Sequence, residues 1–162
     1  MICHTYHLTR KKKRPVLVSE RVVDYPAELG RFTSPQEIYD IINNLFMASD
    51  DPEEHIYMIC VNGRLAPIGF FDVAHGSMTQ CQVGVQQIFT RAALCGAYAI
   101  IIAHNHPSGD TTPFGPDMAF TERISEAGKI LDIPLLDHLI IGENGYYSFH
   151  EEGKLGKEGA KE

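Results

Sequence analysis

No apolar run in the 162-residue sequence approaches the roughly 18 residues that a helix needs to cross a bilayer. The longest such stretch, starting at Ala97, ends in His104. Residues 1–15 carry a basic block with no apolar segment behind it, so the pattern of a secretory signal peptide is missing. Positive charge is in the minority, with 14 Lys and Arg against 21 Asp and Glu, a net charge of −7 and a pI near 5.6. That balance argues against a domain whose main task is to grip nucleic acid over a broad basic face. The four cysteines, Cys3, Cys60, Cys81 and Cys95, form no CxxC pair, and Cys60 and Cys95 lie in apolar segments that read as core. Together these absences point to a cytoplasmic protein with reduced thiols and no membrane association.

What is present has the size and make-up of one globular domain, 44% hydrophobic and 22% charged, with no internal repeat and no linker. A chain of this length hides roughly 68–70% of its unfolded surface, enough for a core without staples. The run Arg10-Lys11-Lys12-Lys13-Arg14 offers a contact to nucleic acid or an acidic partner but reads rather as a solvated arm, followed over 15–25 by a Val-rich extended segment. Ser34-Pro35-Gln36-Glu37 is a helix start, with Ser34 as cap, Pro35 in the first turn and Glu37 closing a capping box. Strands are expected over 54–61 and 65–74, joined by a two-residue turn at Asn62-Gly63. A helix from Val85 to Gly96 leads into 97–103, an apolar run of the kind buried on both faces of a sheet. A third helix over 118–131 and a hairpin of 135–141 with 146–149 complete the pattern. The layout is a basic arm and extended segment at 1–33, one α+β or mixed α/β/α domain at 34–150 and a polar tail at 151–162.

The chemistry concentrates in Ala103-His104-Asn105-His106-Pro107-Ser108-Gly109-Asp110. Side chains two apart on a strand share a face, so His104 and His106 can aim at one atom, and Pro107 ends the strand beside them. Two neutral imidazoles with one carboxylate leave a fourth position open, the arrangement of a catalytic zinc rather than a structural one. Asp117 is the favoured carboxylate. It lies on a helical stripe with Phe120, Ile124, Ala127 and Leu131, whereas Asp110 sits in a Ser-Gly-Asp turn that suits its own backbone bonds. A general base is still needed, and Glu53 or Glu54, at the mouth of the strand 56–61, can supply it. His138 and Asp137 face opposite sides of their strand, so at most one of them can serve the site. His55 and His75 read as structural or surface residues, and Tyr146 and Tyr147 as hairpin packing.

An upstream Glu, then HxH, seven residues, a position normally Ser, two residues and an Asp resembles the JAMM/MPN+ metalloprotease signature. The segments HNHPSGD…P…D and LLDHLIIG…GYYSF resemble more closely the RadC family, bacterial proteins long labelled as DNA repair factors. The likeness runs over about 34–149. It implies a cytidine-deaminase-like α/β/α sandwich, a curved mixed sheet flanked by helices. It further implies Zn²⁺ held by His104, His106 and Asp117, with Glu54 (matching the family's Glu-His pair) as the base over Glu53. The activity implied is metal-dependent hydrolysis of a peptide or isopeptide bond in a peptide or protein substrate. Nucleic acid is the less favoured partner, because the helix-hairpin-helix module of full-length RadC proteins does not fit into the first 33 residues. The letters HNH match the HNH nucleases by accident, since that name describes separated residues on another fold. One departure matters: the signature's Ser falls on Phe114, removing a hydroxyl that in the family helps hold the oxyanion. A metal-binding or DNA-associated domain with weak catalysis is therefore the alternative reading.

Overall fold

The computed structural model describes residues 2–24, 30–76 and 83–155. Seven strands form one mixed sheet: β1 (Ile2–Lys11), β2 (Arg14–Asp24), β3 (His55–Val61), β4 (Pro67–His75), β5 (Ala99–Asn105), β6 (Leu135–Gly142) and β7 (Gly145–Ser148). Their spatial order is β2-β1-β4-β3-β5-β6-β7. β3 runs antiparallel to both β4 and β5, while β5 and β6 are parallel. Among the described residues three α-helices cover the sheet: α1 (Pro35–Phe46), α2 (Val85–Cys95) and α3 (Gly115–Ile130).

Period-two alternation divides the core into two. Tyr57, Ile59, Val61, Phe70, Ile101, Ala103, Leu139 and Ile141 face α1, against Ile38 and Ile42. Ile56, Met58, Cys60, Phe71, Ile100 and Ile102 face the other way, against Ile88, Phe89 and Ala92 of α2 and Ile124 of α3. The result is the expected three-layer α/β sandwich. All seven residues of β5 are buried, as a strand covered on both faces requires.

Several local expectations need correction. The basic run is not a loose arm: Arg10 pairs with Pro15 and Lys11 with Arg14, so the run is the turn of a β1–β2 hairpin that joins the sheet through Thr5 and Phe70. The Asn62-Gly63 turn is longer than two residues. The Asn62 side chain accepts from the backbones of Arg64 (2.9 Å) and Ala66 (3.1 Å), and Leu65 takes a φ of 61°. At α1, Ser34 caps the Glu37 amide at 3.4 Å, but Glu37 answers to the backbone and hydroxyl of Thr33, each at 2.7 Å, one residue earlier than a capping box would have it. The buried stripe of α3 is Asp117, Thr121, Ile124 and Gly128, and Leu131 is exposed. Cys3, Cys60 and Cys95 are free thiols; Cys81, Tyr25 and the tail beyond 155 lie outside the described residues. Among the described residues no helix is long and apolar enough to cross a membrane.

Gly128 is where α3 meets the strand it feeds. A Cβ there would stand 2.6 Å from the Ile133 carbonyl oxygen and 3.3 Å from the Leu135 nitrogen. In an open helix Gly→Ala gains roughly 0.8–1 kcal/mol. Here the added methyl pushes on backbone, and forcing extra volume into a filled site costs about 1–3 kcal/mol. Gly128→Ala is expected to lower the melting temperature by several degrees in a thermal scan, against its helix propensity.

Candidate metal centre

The site forms where β5 ends and the chain turns toward α3, at the carboxyl end of a parallel β5–α3–β6 unit. His104, the sixth residue of β5, is fully buried, and His106 follows just past the strand end, also buried. Their Nε2 atoms lie 3.0 Å apart. Asp117, buried in the first turn of α3, sets Oδ1 3.3 Å from His104 Nε2 and Oδ2 3.5 Å from His106 Nε2. The Phe114 amide donates to Asp117 Oδ2 at 2.7 Å, which pins the carboxylate at the positive end of the helix. Glu54 approaches from the start of β3, and Glu54, His104 and His106 have ligand atoms within 4.8 Å of one another, close enough to hold a metal ion. Glu53 is exposed and points its carboxylate toward His75 at 3.7 Å.

The hydrogen-bond network sets both imidazoles in one tautomer. His106 Nδ1 meets the Asp110 carbonyl at 2.7 Å, and a carbonyl only accepts, so Nδ1 carries the proton and in the neutral ring Nε2 is bare. The same logic runs through three residues for His104. Thr121 Oγ1 lies 2.6 Å from the Asp117 carbonyl, to which it must give its one hydrogen. His138 Nδ1, 2.6 Å from that hydroxyl, must therefore donate to it. A neutral His138 is left with an accepting Nε2, and His104 Nδ1 donates to it at 2.8 Å. Burial holds the His138 pKa well below the ordinary value, the neighbouring His104 adding to the effect, so the neutral form in this chain of bonds is the stable one.

Two bare nitrogen lone pairs thus face each other and a carboxylate, an arrangement that is repulsive without a cation among them. The electrostatics agree. Burial by itself would raise Asp117, yet the Nε2–H and positive charge that His104 and His106 offer when protonated outweigh it and hold the carboxyl well below the usual range. Burial would likewise lower His106, but Asp117, the Asp110 carbonyl and Glu54 favour the protonated ring and raise it instead, so that without a metal a proton on Nε2 takes the place of the cation. The centre draws positive charge, and two imidazole nitrogens with carboxylate oxygens are a fitting donor set for zinc.

The remaining residues near the motif divide clearly. Asp137 faces away from the centre, accepting from Ser148 Oγ at 2.6 Å and from the amides of His138 (2.7 Å) and His150 (3.0 Å). His55 sits between Asp51 (3.3 Å) and Asp72 (3.0 Å), and the Asp110 carboxylate accepts from the Thr112 amide at 2.9 Å, a turn function. Tyr146 packs on Tyr39 and Tyr147 on Phe149. Phe114 is 56% exposed, and its ring lies against His106 with centroids 5.3 Å apart.

Sequence reasoning missed two contributors. Asn105, on the opposite face of β5 from His104, accepts from the His55 amide at 2.7 Å. It also donates to the carbonyls of Glu53 (2.8 Å) and Asp51 (3.3 Å). It clamps the backbone on both sides of Glu54 to the strand that carries the histidines. Thr121 is the other; its position four residues after Asp117, on the same helical face, was the available signal.

Comparison with known proteins identifies a family. The family model described as "RadC-like JAB domain" matches residues 32–154. A "UPF0758 protein" of Pelobacter propionicus is 39% identical over 127 residues, covering 78% of this chain and 55% of the relative. One from Carboxydothermus hydrogenoformans is 40% identical over 121 residues, 75% and 53% of the two chains. Another, from Thermotoga maritima, is 39% identical over 102 residues, 63% and 46%. The chain spans about half the length of these curated relatives.

Thr121→Val keeps the side-chain volume but leaves the His138 Nδ1–H without its acceptor. Loss of such an outer hydrogen bond typically costs 10–100-fold in metal affinity. The variant is expected to bind zinc at least about tenfold more weakly in a chelator competition, with Thr121→Ser restoring most of the loss.

Proposed function

Because this chain belongs to the RadC family of JAB-type domains, we propose that it is a zinc-dependent hydrolase acting on a peptide or isopeptide bond. The observation that carries the reading is the pair of Nε2 lone pairs, fixed by acceptor-only partners and turned toward Asp117 and Glu54. His104, His106 and Asp117 would hold the ion. When bound, zinc supplies Lewis-acid polarisation of a carbonyl and acidifies water at neutral pH.

The chain's own residues supply the rest. Glu54, half-buried beside the two histidines, takes a proton from the attacking water and passes it to the leaving amine. Asn105 keeps that carboxylate in reach by bonding the backbone before and after it. The His138–Thr121 chain holds His104 in its ligating tautomer.

A second reading, a metal-binding domain with weak catalysis, is favoured by Phe114. Its ring brings no hydrogen-bond donor to the edge of the centre, where the family signature has a hydroxyl. Loss of one oxyanion donor costs about 2.7–4 kcal/mol, or 10²–10³ in kcat.

Elemental analysis of protein purified without added metal is expected to give about one zinc per chain, lost in His106→Ala and Asp117→Asn. Glu54→Gln is expected to keep the metal and abolish turnover of a peptide library; loss of zinc in that variant would make Glu54 a ligand instead of the base. Phe114→Ser should raise kcat by roughly 10²-fold if the missing hydroxyl limits the rate. An unchanged kcat would show that the donor comes from elsewhere.

A further inference from the structure

Arg10, Lys11, Lys12, Lys13 and Arg14 close the β1–β2 hairpin, all exposed, and among the described residues none of them is in an ion pair. Lys12 and Lys13 are the two turn residues, with φ of 51° and 66°. A two-residue hairpin turn with positive φ at both positions favours Asn-Gly, and a side chain with a Cβ is disfavoured there. Turn geometry does not account for lysine at either position, whereas exposed charge does.

The topology brings this charge to the metal centre. β1 is parallel to β4, and β4 and β5 are both antiparallel to β3, so β1 and β5 run the same way. The turn after Lys11 and the histidines at the end of β5 are therefore at the same end of the sheet. Counted up from the pair Thr5–Phe70 and past the bulge at Val73, Thr9 stands level with His75, which pairs with His55 beside Glu54, and Arg10 is one residue beyond. Three strand spacings separate β1 from β5, roughly 14 Å, the length of a few extended residues. Beside the turn lies a cleft of about 470 Å³ whose lining includes Arg10, Lys13, Gln86, Gln87 and Thr90 and, among the described residues, no acid.

We propose that the β1–β2 turn and this cleft dock an acidic segment of the protein substrate while its scissile bond lies at the metal centre; the inference rests on the hydrolase reading above. A peptide fits better than nucleic acid. Among the described residues no Phe, Tyr or Trp stands at the turn to stack a base: Tyr6 has its ring against Phe71 at 5.7 Å, and the His7 ring is paired with Glu20 at 2.9 Å. Beyond the turn, the remaining nine Lys and Arg face 21 Asp and Glu, a surface that repels a long polyanion but accommodates a short acidic stretch.

The test is fluorescence anisotropy of the full zinc-loaded chain. The probes are a labelled Asp/Glu-rich peptide of about twelve residues, its Asn/Gln counterpart, and single-stranded and duplex DNA of equal charge. The acidic peptide should bind at least about tenfold tighter than the amide peptide at low salt, the difference shrinking as salt rises. Lys12→Asn/Lys13→Gly places the favoured residues in the turn. It should fold with an unchanged or higher melting temperature and bind the acidic peptide about fivefold more weakly. Replacing Arg10, Lys11 and Arg14 by Gln as well should abolish the preference. Equal binding of the two peptides, or an unchanged preference in the five-residue variant, overturns the proposal. Tighter binding of either DNA than of the acidic peptide overturns it in favour of a nucleic-acid surface. The readout needs no turnover, so failure of the hydrolase reading shows separately, as a dead centre toward short uncharged peptides in a protein that still binds the acidic one.

Discussion

The bond between His104 Nδ1 and His138 Nε2 is the constraint on which the centre depends. It joins neighbouring parallel strands through two side chains buried below any solvent that could substitute for either partner. Its direction is dictated from α3, because the Thr121 hydroxyl has only one hydrogen and the Asp117 carbonyl takes it. The residue whose carboxylate faces the imidazoles thus also sets, through its backbone, the tautomer of one of them. β5, β6 and α3 are bound into one unit, and a shift in any of the three would turn His104 out of register with His106 and Asp117.

The second histidine depends on loop geometry instead. His106 takes its proton direction from the Asp110 carbonyl, so the 107–111 turn must be held close to the strand end. Gly142 allows this: a Cβ at its position would run into the Gly109 carbonyl and the Thr111 methyl. The glycine at the end of β6 is where the loop carrying the Asp110 acceptor packs down. Asn105 does the equivalent on the other face of the sheet, fastening the approach to β3 and with it Glu54. The three residues of the His-Asn-His motif thus have distinct duties: the outer two converge on one point, and the middle one fixes the carboxylate opposite.

Around this rigid centre the chain departs from its family's signature at one position and adds charge at another. Phe114 replaces a small donor by a half-exposed ring against His106, changing what a substrate meets at the rim without disturbing the Asp117 carboxylate, which the Phe114 backbone amide still holds. The basic hairpin extends the same end of the sheet by two strands. Phe114 stands at the rim of the donor set and leaves it as it is, and the hairpin stands at the same end of the sheet, three strands from the histidines.

The two histidines, the helical acid that meets them and the doubly buried strand were legible in the sequence, while the pattern alone left α+β and α/β/α layouts open and family likeness chose the sandwich. Each follows from short-range periodicity: two residues along a strand, three or four along a helix, and seven unbroken apolar residues between glycine and histidine. Only tertiary structure decided the rest. That His138 rather than Asp137 serves the site depends on which face of β6 meets α3. That Thr121 sets a tautomer depends on a contact across 17 residues of sequence, and that Asn105 clamps Glu54 on one across some 50. The basic run could be read as charge but not as the turn of a hairpin, because β1 joins the sheet through β4, 65 residues further along the chain at the Thr5–Phe70 pair. Local patterns record what a residue's neighbours along the chain require; which side chains meet across strands and helices is set by packing, and the chemistry of this centre lies in those meetings.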